Sequence, residues 1–206
     1  MKIHTIFFDW YHTLSNDNFW GHIKNNNPKL YQEITNKVFN NPDISVKEWM
    51  RGFISTNEII KKISNDDKEF NFLKNELIHS VKNTKFANKD IIVLLNKLKQ
   101  KGIKLVIATD NMDVFMDYTV PSLNLYDYFD DIICSSNINC LKIDLFSEKP
   151  RFFEDYLSKN NINYKDCLFI DDQKKFIDFY KKYGMNTERI ENTDDIENIV
   201  RKYIML

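Results

Sequence analysis

The chain has 206 residues, enough for one domain carrying an insertion or for two small domains, and its 43% hydrophobic, 14% aromatic composition can fill a sizeable core. Lys and Arg number 29 against 30 Asp and Glu, a net charge of -1, which removes the electrostatic argument for a nucleic-acid or anionic-membrane partner. Three cysteines without a CxxC pair exclude a disulfide framework or zinc knuckle and fit a reducing cytoplasm, residues 1–9 turn acidic too soon for a signal peptide, and no apolar run approaches the ~18 residues of a membrane span.

Residues 2–8 form a short apolar run rich in Ile and Phe and read as a buried strand ending at Asp9. Residues 15–86 hold no strong strand. Leu30, Tyr31, Ile34 and Val38 lie at helical spacing, as do Ile59, Ile60 and Ile63, then Phe70, Leu73, Leu77, Ile78 and Val81. Asn-Pro pairs at 27–28 and 41–42 punctuate them, so about four inserted helices are expected. Ile91, Leu94, Leu95 and Leu98 mark a helix stopped by Gly102. Strands follow at 103–108, ending in Thr109-Asp110-Asn111, and at 131–134, ending in Ser135-Ser136. A helix over 152–157 leads to a strand at 167–170, which ends in Asp171-Asp172. Phe176, Phe179, Tyr180 and Tyr183 then mark a helix whose aromatic stripe is expected in the core, and a last helix carries Ile196, Ile199, Val200 and Tyr203. This alternation predicts an α/β fold: a Rossmann-like parallel sheet from residues 1–14 and 87–206, with an α-helical insertion at 15–86. Ligands of such sheets bind at the carboxyl ends of the strands, where these polar residues converge.

The segment Asp9-Trp10-Tyr11-His12-Thr13-Leu14 resembles the first motif of the haloacid dehalogenase superfamily, a strand ending in Asp-x-Asp-x-Thr-Leu/Val. Thr109 matches the second motif, Lys142 or Lys149 the third, and Asp171-Asp172 the fourth, in the right order and each beside the expected strand. The insertion resembles that superfamily's helical C1 cap. The resemblance implies that Asp9 is a nucleophile, that Thr109 and a lysine hold the phosphoryl oxygens, and that Mg2+ is bound by Asp9, Asp172, the Tyr11 carbonyl and Asp171. It also implies substrate contacts from Thr13, which fixes its own loop by a local hydrogen bond, and from Asp110 and Asn111. The chemistry is coherent on its own terms. A carboxylate nucleophile splits a hard displacement into two easier ones, and a hard cation cancels its repulsion from a phosphoryl group. Taken singly, Asp9 could be a strand-end turn residue, and Thr109 or Asp171-Asp172 helix caps.

Between the two lysines, Lys142 falls at the expected distance from the strand at 131–134, whereas Lys149-Pro150 carries the family's common dipeptide and makes 143–148 a short insertion. Two residues depart from the phosphatase pattern. Tyr11 stands where phosphatases of this superfamily carry an acid that protonates the leaving group, and Phe176 where they often carry Asp or Asn. Tyr11 matches the dehalogenase branch. That branch replaces the fourth-motif acids, however, and uses a cap arginine that Arg51 does not match by spacing. His12 occupies a position most often held by Gly. The expected function is therefore a Mg2+-dependent phosphate monoester hydrolase acting on a small phosphorylated molecule through Asp9, with weakened acid catalysis, in a cytoplasmic monomer or homodimer. The alternatives are a dehalogenase-like hydrolase, or a catalytically weak protein that binds a ligand or partner.

Overall fold

In the computed structural model, which describes residues 3–205, seven strands follow in chain order: β1 (Thr5–Phe8), β2 (Lys104–Thr109), β3 (Asp131–Cys134), β4 (Leu145–Phe146), β5 (Lys149–Pro150), β6 (Cys167–Asp171) and β7 (Asn186–Arg189). Five form one parallel sheet in the order β3-β2-β1-β6-β7, while β4 and β5 pair as a separate antiparallel hairpin. The central place of β1 follows from its sequence, because every residue of Thr5–Phe8 is buried and both faces are covered. Ile6 and Phe8 join one core with Leu105, Ile107, Leu168 and Ile170, and Phe7 joins the opposite one with Val106, Ala108 and Phe169. The period-two alternation of side chains makes that division.

The helices are α1 (Gly21–Asn26), α2 (Pro28–Phe39), α3 (Val46–Met50), α4 (Thr56–Ile63), α5 (Asp67–Lys82), α6 (Ile91–Gln100), α7 (Val120–Ser122), α8 (Leu125–Tyr128), α9 (Ser135–Ile138), α10 (Glu154–Asn160), α11 (Lys174–Lys182) and α12 (Asp195–Met205). Buried residues of α6 and α12 line the core that holds Ile6 and Phe8, and those of α10 and α11 line the other. Helices α1–α5 gather around their own apolar centre of Trp20, Ile34, Trp49, Ile60 and Leu77, to which Met112 and Val114 contribute from the loop after β2. Local signals start these helices: Asn27 accepts from Leu30 N with Pro28 as first residue of α2, and Ser55 with Glu58 closes a capping box on α4.

Several expectations need correction. The first strand begins at Thr5, and Lys2 lies outside the described residues. The inserted segment holds five helices, because the short α1 and α3 show too little periodicity to be read from sequence. Strand β7 was not expected. Its Asn-Thr-Glu-Arg sequence lacks apolar alternation because it is an incompletely buried sheet edge. Helix α10 starts at Glu154, after buried Phe152 and Phe153, and the stretch read as an insertion supplies β4.

Candidate active site

Sheet register brings the chemical residues to one edge. Phe8 lies opposite Ile107 of β2 and Ile170 of β6, so Asp9, Thr109 and Asp171-Asp172 emerge together at the carboxyl ends of three adjacent strands. Asp9 stays tied to β6 through its N–H, which donates to Ile170 O at 2.9 Å. Thr109 ends β2 fully enclosed.

Lys142 enters this edge from the loop after α9. Asn139 turns the chain there with φ 53°, a left-handed conformation that asparagine tolerates. Only 1% of Lys142 is exposed. Its Nζ lies 2.6 Å from Asp9 Oδ1 and 2.7 Å from Asp171 Oδ2. Four contacts fix its backbone and its head. The Lys142 N–H donates to Asp110 Oδ1 at 2.9 Å, the Tyr180 hydroxyl donates to Lys142 O at 2.7 Å, and the rings of Phe169 and Phe176 each lie 5.3 Å from Nζ. Phe176, a departure from the phosphatase pattern, thus faces the ammonium. Lys149 is not brought to the site: it is exposed on β5, opposite Phe146, so the Lys-Pro dipeptide forms the second strand of a hairpin.

The electrostatics are unbalanced. Oxygen atoms of Asp9, Asp171 and Asp172 lie within 4.8 Å of one another, and three carboxylates face one ammonium. Burial pushes the Asp9 carboxyl up to about 7; Lys142 opposes the shift and Asp171 adds to it. Asp172 is also raised, by burial and then by Asp171. Burial works against the charge on Lys142, yet Asp171, Asp9 and Asp110 hold it above the ordinary lysine range. A cluster of hard oxygen donors with excess negative charge fits a divalent cation such as Mg2+.

The loop after Asp9 is held by its backbone. His12 N–H donates to Ser15 O at 2.7 Å, and Leu14 and Ser15 N–H donate to Trp10 O at 2.8 and 2.9 Å. His12 sits at φ 58°, which explains why glycine suits this position. The expected local bond of Thr13 is not formed: its Oγ1 is buried without a partner, because these backbone bonds already close the turn. Tyr11 is 38% exposed, and its hydroxyl donates to Asn18 Oδ1. Burial first, then Tyr31 and Asp172, raise its pKa above the usual phenol range.

A cavity of about 390 Å3 lies between the sheet edge and helices α2, α3 and α5. Trp10, Tyr11, Asp110 and Asn111 form its floor, and a π-helical turn, Phe115–Thr119, carries Phe115 into the wall. Asp110 and Asn111 border the cavity, and the Asp110 carboxylate also secures Lys142. That positioning part, the Tyr180 contact and the Phe176 contact went unread in the sequence. The available signal was the i, i+4 spacing of Phe176 and Tyr180, which aims both at one spot.

A family model described as haloacid dehalogenase-like hydrolase matches residues 3–175. No curated protein matches the sequence. Among solved structures, the chain resembles a HAD family enzyme of Bacteroides thetaiotaomicron in complex with magnesium and inorganic phosphate, with 18% identity, a TM-score of 0.70 and coverage of 96% of this chain and 98% of that one. It also resembles a predicted HAD-like family hydrolase of Porphyromonas gingivalis, with 16% identity, a TM-score of 0.68 and 98% of each chain covered. An L-2-haloacid dehalogenase of Xanthobacter autotrophicus with covalently bound chloropropionic acid aligns at 16% identity and a TM-score of 0.61, over 91% of this chain and 77% of that one. At these identities the likeness speaks for the fold.

Proposed function

The chain belongs to the haloacid dehalogenase-like hydrolase family, and from that premise we propose that it is a Mg2+-dependent phosphate monoester hydrolase acting through a phosphoryl group carried on Asp9. The observation that carries this reading is the buried bridge of Lys142 between Asp9 and Asp171, with Asp172 completing the acidic cluster. Asp9, Asp172 and the Tyr11 carbonyl would hold Mg2+, with Asp171 beside them, and bound Mg2+ supplies charge neutralisation that lets a phosphoryl dianion approach. Residues 15–86 act as the cap over this edge.

In the first step an Asp9 carboxylate oxygen attacks phosphorus, and the bond from phosphorus to the ester oxygen breaks. The departing oxygen leaves as an anion or takes a proton from its surroundings. Lys142 and Thr109 stabilise the charge that gathers on the phosphoryl oxygens. Water then attacks the phosphorus of the acyl phosphate, loses a proton, and releases inorganic phosphate with Asp9 restored. Tyr11 stands where an acid would deliver the first proton, but a phenol held above its ordinary pKa by burial gives that proton up poorly at neutral pH. Esters whose leaving groups are stable anions should therefore turn over best.

Dehalogenation is favoured by one observation, Tyr11, because attack at carbon expels halide without a proton donor. The retained acids and their lysine point the other way. A phosphate-release screen over small phosphate esters, with and without Mg2+, separates the two. The proposal expects Mg2+-dependent release, and chloride release from 2-chloropropionate without metal would replace it.

A further inference from the structure

The cavity is lined by Trp10 and Tyr11, which follow Asp9 in the chain, and by Asp110, which holds Lys142; its walls carry a second message, about the group attached to the phosphate. Six of its walls are Phe19, Tyr31, Val46, Met50, Val81 and Phe115, contributed by the cap helices and the loops around them. No Lys, Arg or His lines the cavity among the described residues; its only charged residues are Asp17 and Asp110. Both carboxylates already have partners. Asp17 accepts from the Thr84 hydroxyl at 3.2 Å and from Lys85 N–H at 2.6 Å, and Asp110 accepts from Lys142 N–H.

Two of the wall hydroxyls are similarly engaged. Thr35 donates to the Tyr31 and Gln32 carbonyls, and Thr119 to Val81 O, each at 3.0 Å. An anionic substituent in this space would lose its water, find no cation, and face two carboxylates. An apolar ring would meet aromatic and aliphatic walls. The volume, near the lower end of the ~300–1,000 Å3 usual for ligand sites, suits one or two fused rings.

We infer that the substrate is the phosphate monoester of an uncharged aromatic alcohol, with its ring system in this cavity and its phosphate at Asp9. This rests on the phosphatase reading above. It adds a claim that reading does not make, because the chemistry at Tyr11 favours any good leaving group, charged or not.

The test compares 2-naphthyl phosphate with 4-carboxyphenyl phosphate, whose phenols are of similar acidity, on the wild-type protein with Mg2+. The expected result is a kcat/KM ratio on the order of 100 in favour of the naphthyl ester, carried mainly by KM. Comparable or reversed values would overturn the inference while leaving phosphate hydrolysis standing. If neither ester is hydrolysed, the phosphatase reading fails, and thermal shifts with 2-naphthol and 4-hydroxybenzoate decide the cavity by itself. A larger rise with 2-naphthol supports an uncharged aromatic ligand, and an equal or smaller rise overturns it.

Discussion

Lys142 shows how much a single side chain is asked to do at the sheet edge. Its ammonium is buried, lies 2.6 and 2.7 Å from two carboxylates, and rests against two phenylalanine rings. Removing one member of such a buried ion group leaves the others uncompensated, at a cost of about 3–5 kcal/mol. Lys142→Met should therefore lower stability by that amount without Mg2+ and remove most phosphate turnover. Lys149→Ala, on an exposed hairpin, should stay within about 0.5 kcal/mol of wild type and keep its activity. Denaturant unfolding and a phosphate-release assay check both. Tyr11 makes a second prediction at this scale. Tyr11→Asp restores a carboxylic acid beside the leaving group, and a positioned acid contributes ~10²–10⁴-fold. Turnover of alkyl phosphates should rise toward that range and that of aryl phosphates much less. Initial rates on a matched alkyl and aryl pair measure the difference.

Among the elements, α3 and the loop after α9 are joined more closely than their separation in sequence suggests. Arg51, just past α3, grips Asp144 through Nε and a terminal guanidinium nitrogen at 2.8 and 2.6 Å. Asp144 also accepts Leu141 N–H at 2.9 Å, one residue before Lys142. Ser135 Oγ donates to Met50 O and Asn139 Nδ2 to Arg51 O, both at 2.6 Å. Gly52, at φ 72°, lets the cap backbone come against Ser136 O, where a Cβ would collide. The inserted helices are thus latched to the loop that carries Lys142. The Arg51 hydrogen bond holds Asp144 below the usual carboxylate range. A depressed folded pKa means that this stabilisation is complete above the unfolded value of about 4 and is lost as pH falls through the lower folded value. Arg51→Ala should cost about 1 kcal/mol at neutral pH, a fall in Tm of about 2–4 °C that vanishes on acidification. Melting both proteins across that pH range checks the sign. None of this latch was legible in the sequence, where Arg51 was weighed only as a substrate ligand and found out of place. The pair is 93 residues apart, and hydrophobic spacing carries no information about which loop a cap residue meets. By contrast, the buried strands, and the placing of Asp9, Thr109 and Asp171-Asp172 at their ends, could be read directly, because apolar runs ending in polar residues mark both the strands and the sheet edge where those residues meet. Thr13 misled, since a hydroxyl at that place in the sequence says nothing of the backbone bonds that close the turn without it.

For the whole molecule, the sheet provides a charged edge, and the helices above it an apolar chamber. Helices α1–α5 have their own hydrophobic centre, shared with Met112 and Val114 from the segment after β2. Under the proposed function, the excess negative charge of the edge would tie folding to a bound cation. A cation bound only by the folded state stabilises it by mass action. Mg2+ should raise Tm in a concentration-dependent way, and Asp172→Asn should flatten that response; differential scanning calorimetry over a Mg2+ series follows it. The most direct test of the proposed chemistry is intact-protein mass spectrometry after rapid acid quench of the Mg2+-loaded protein with an aryl phosphate. An adduct of one phosphoryl group, localised to Asp9 and absent from Asp9→Asn, is the predicted result. Steady phosphate release with no adduct on wild type at any quench time, or an equal rate from Asp9→Asn, would contradict it.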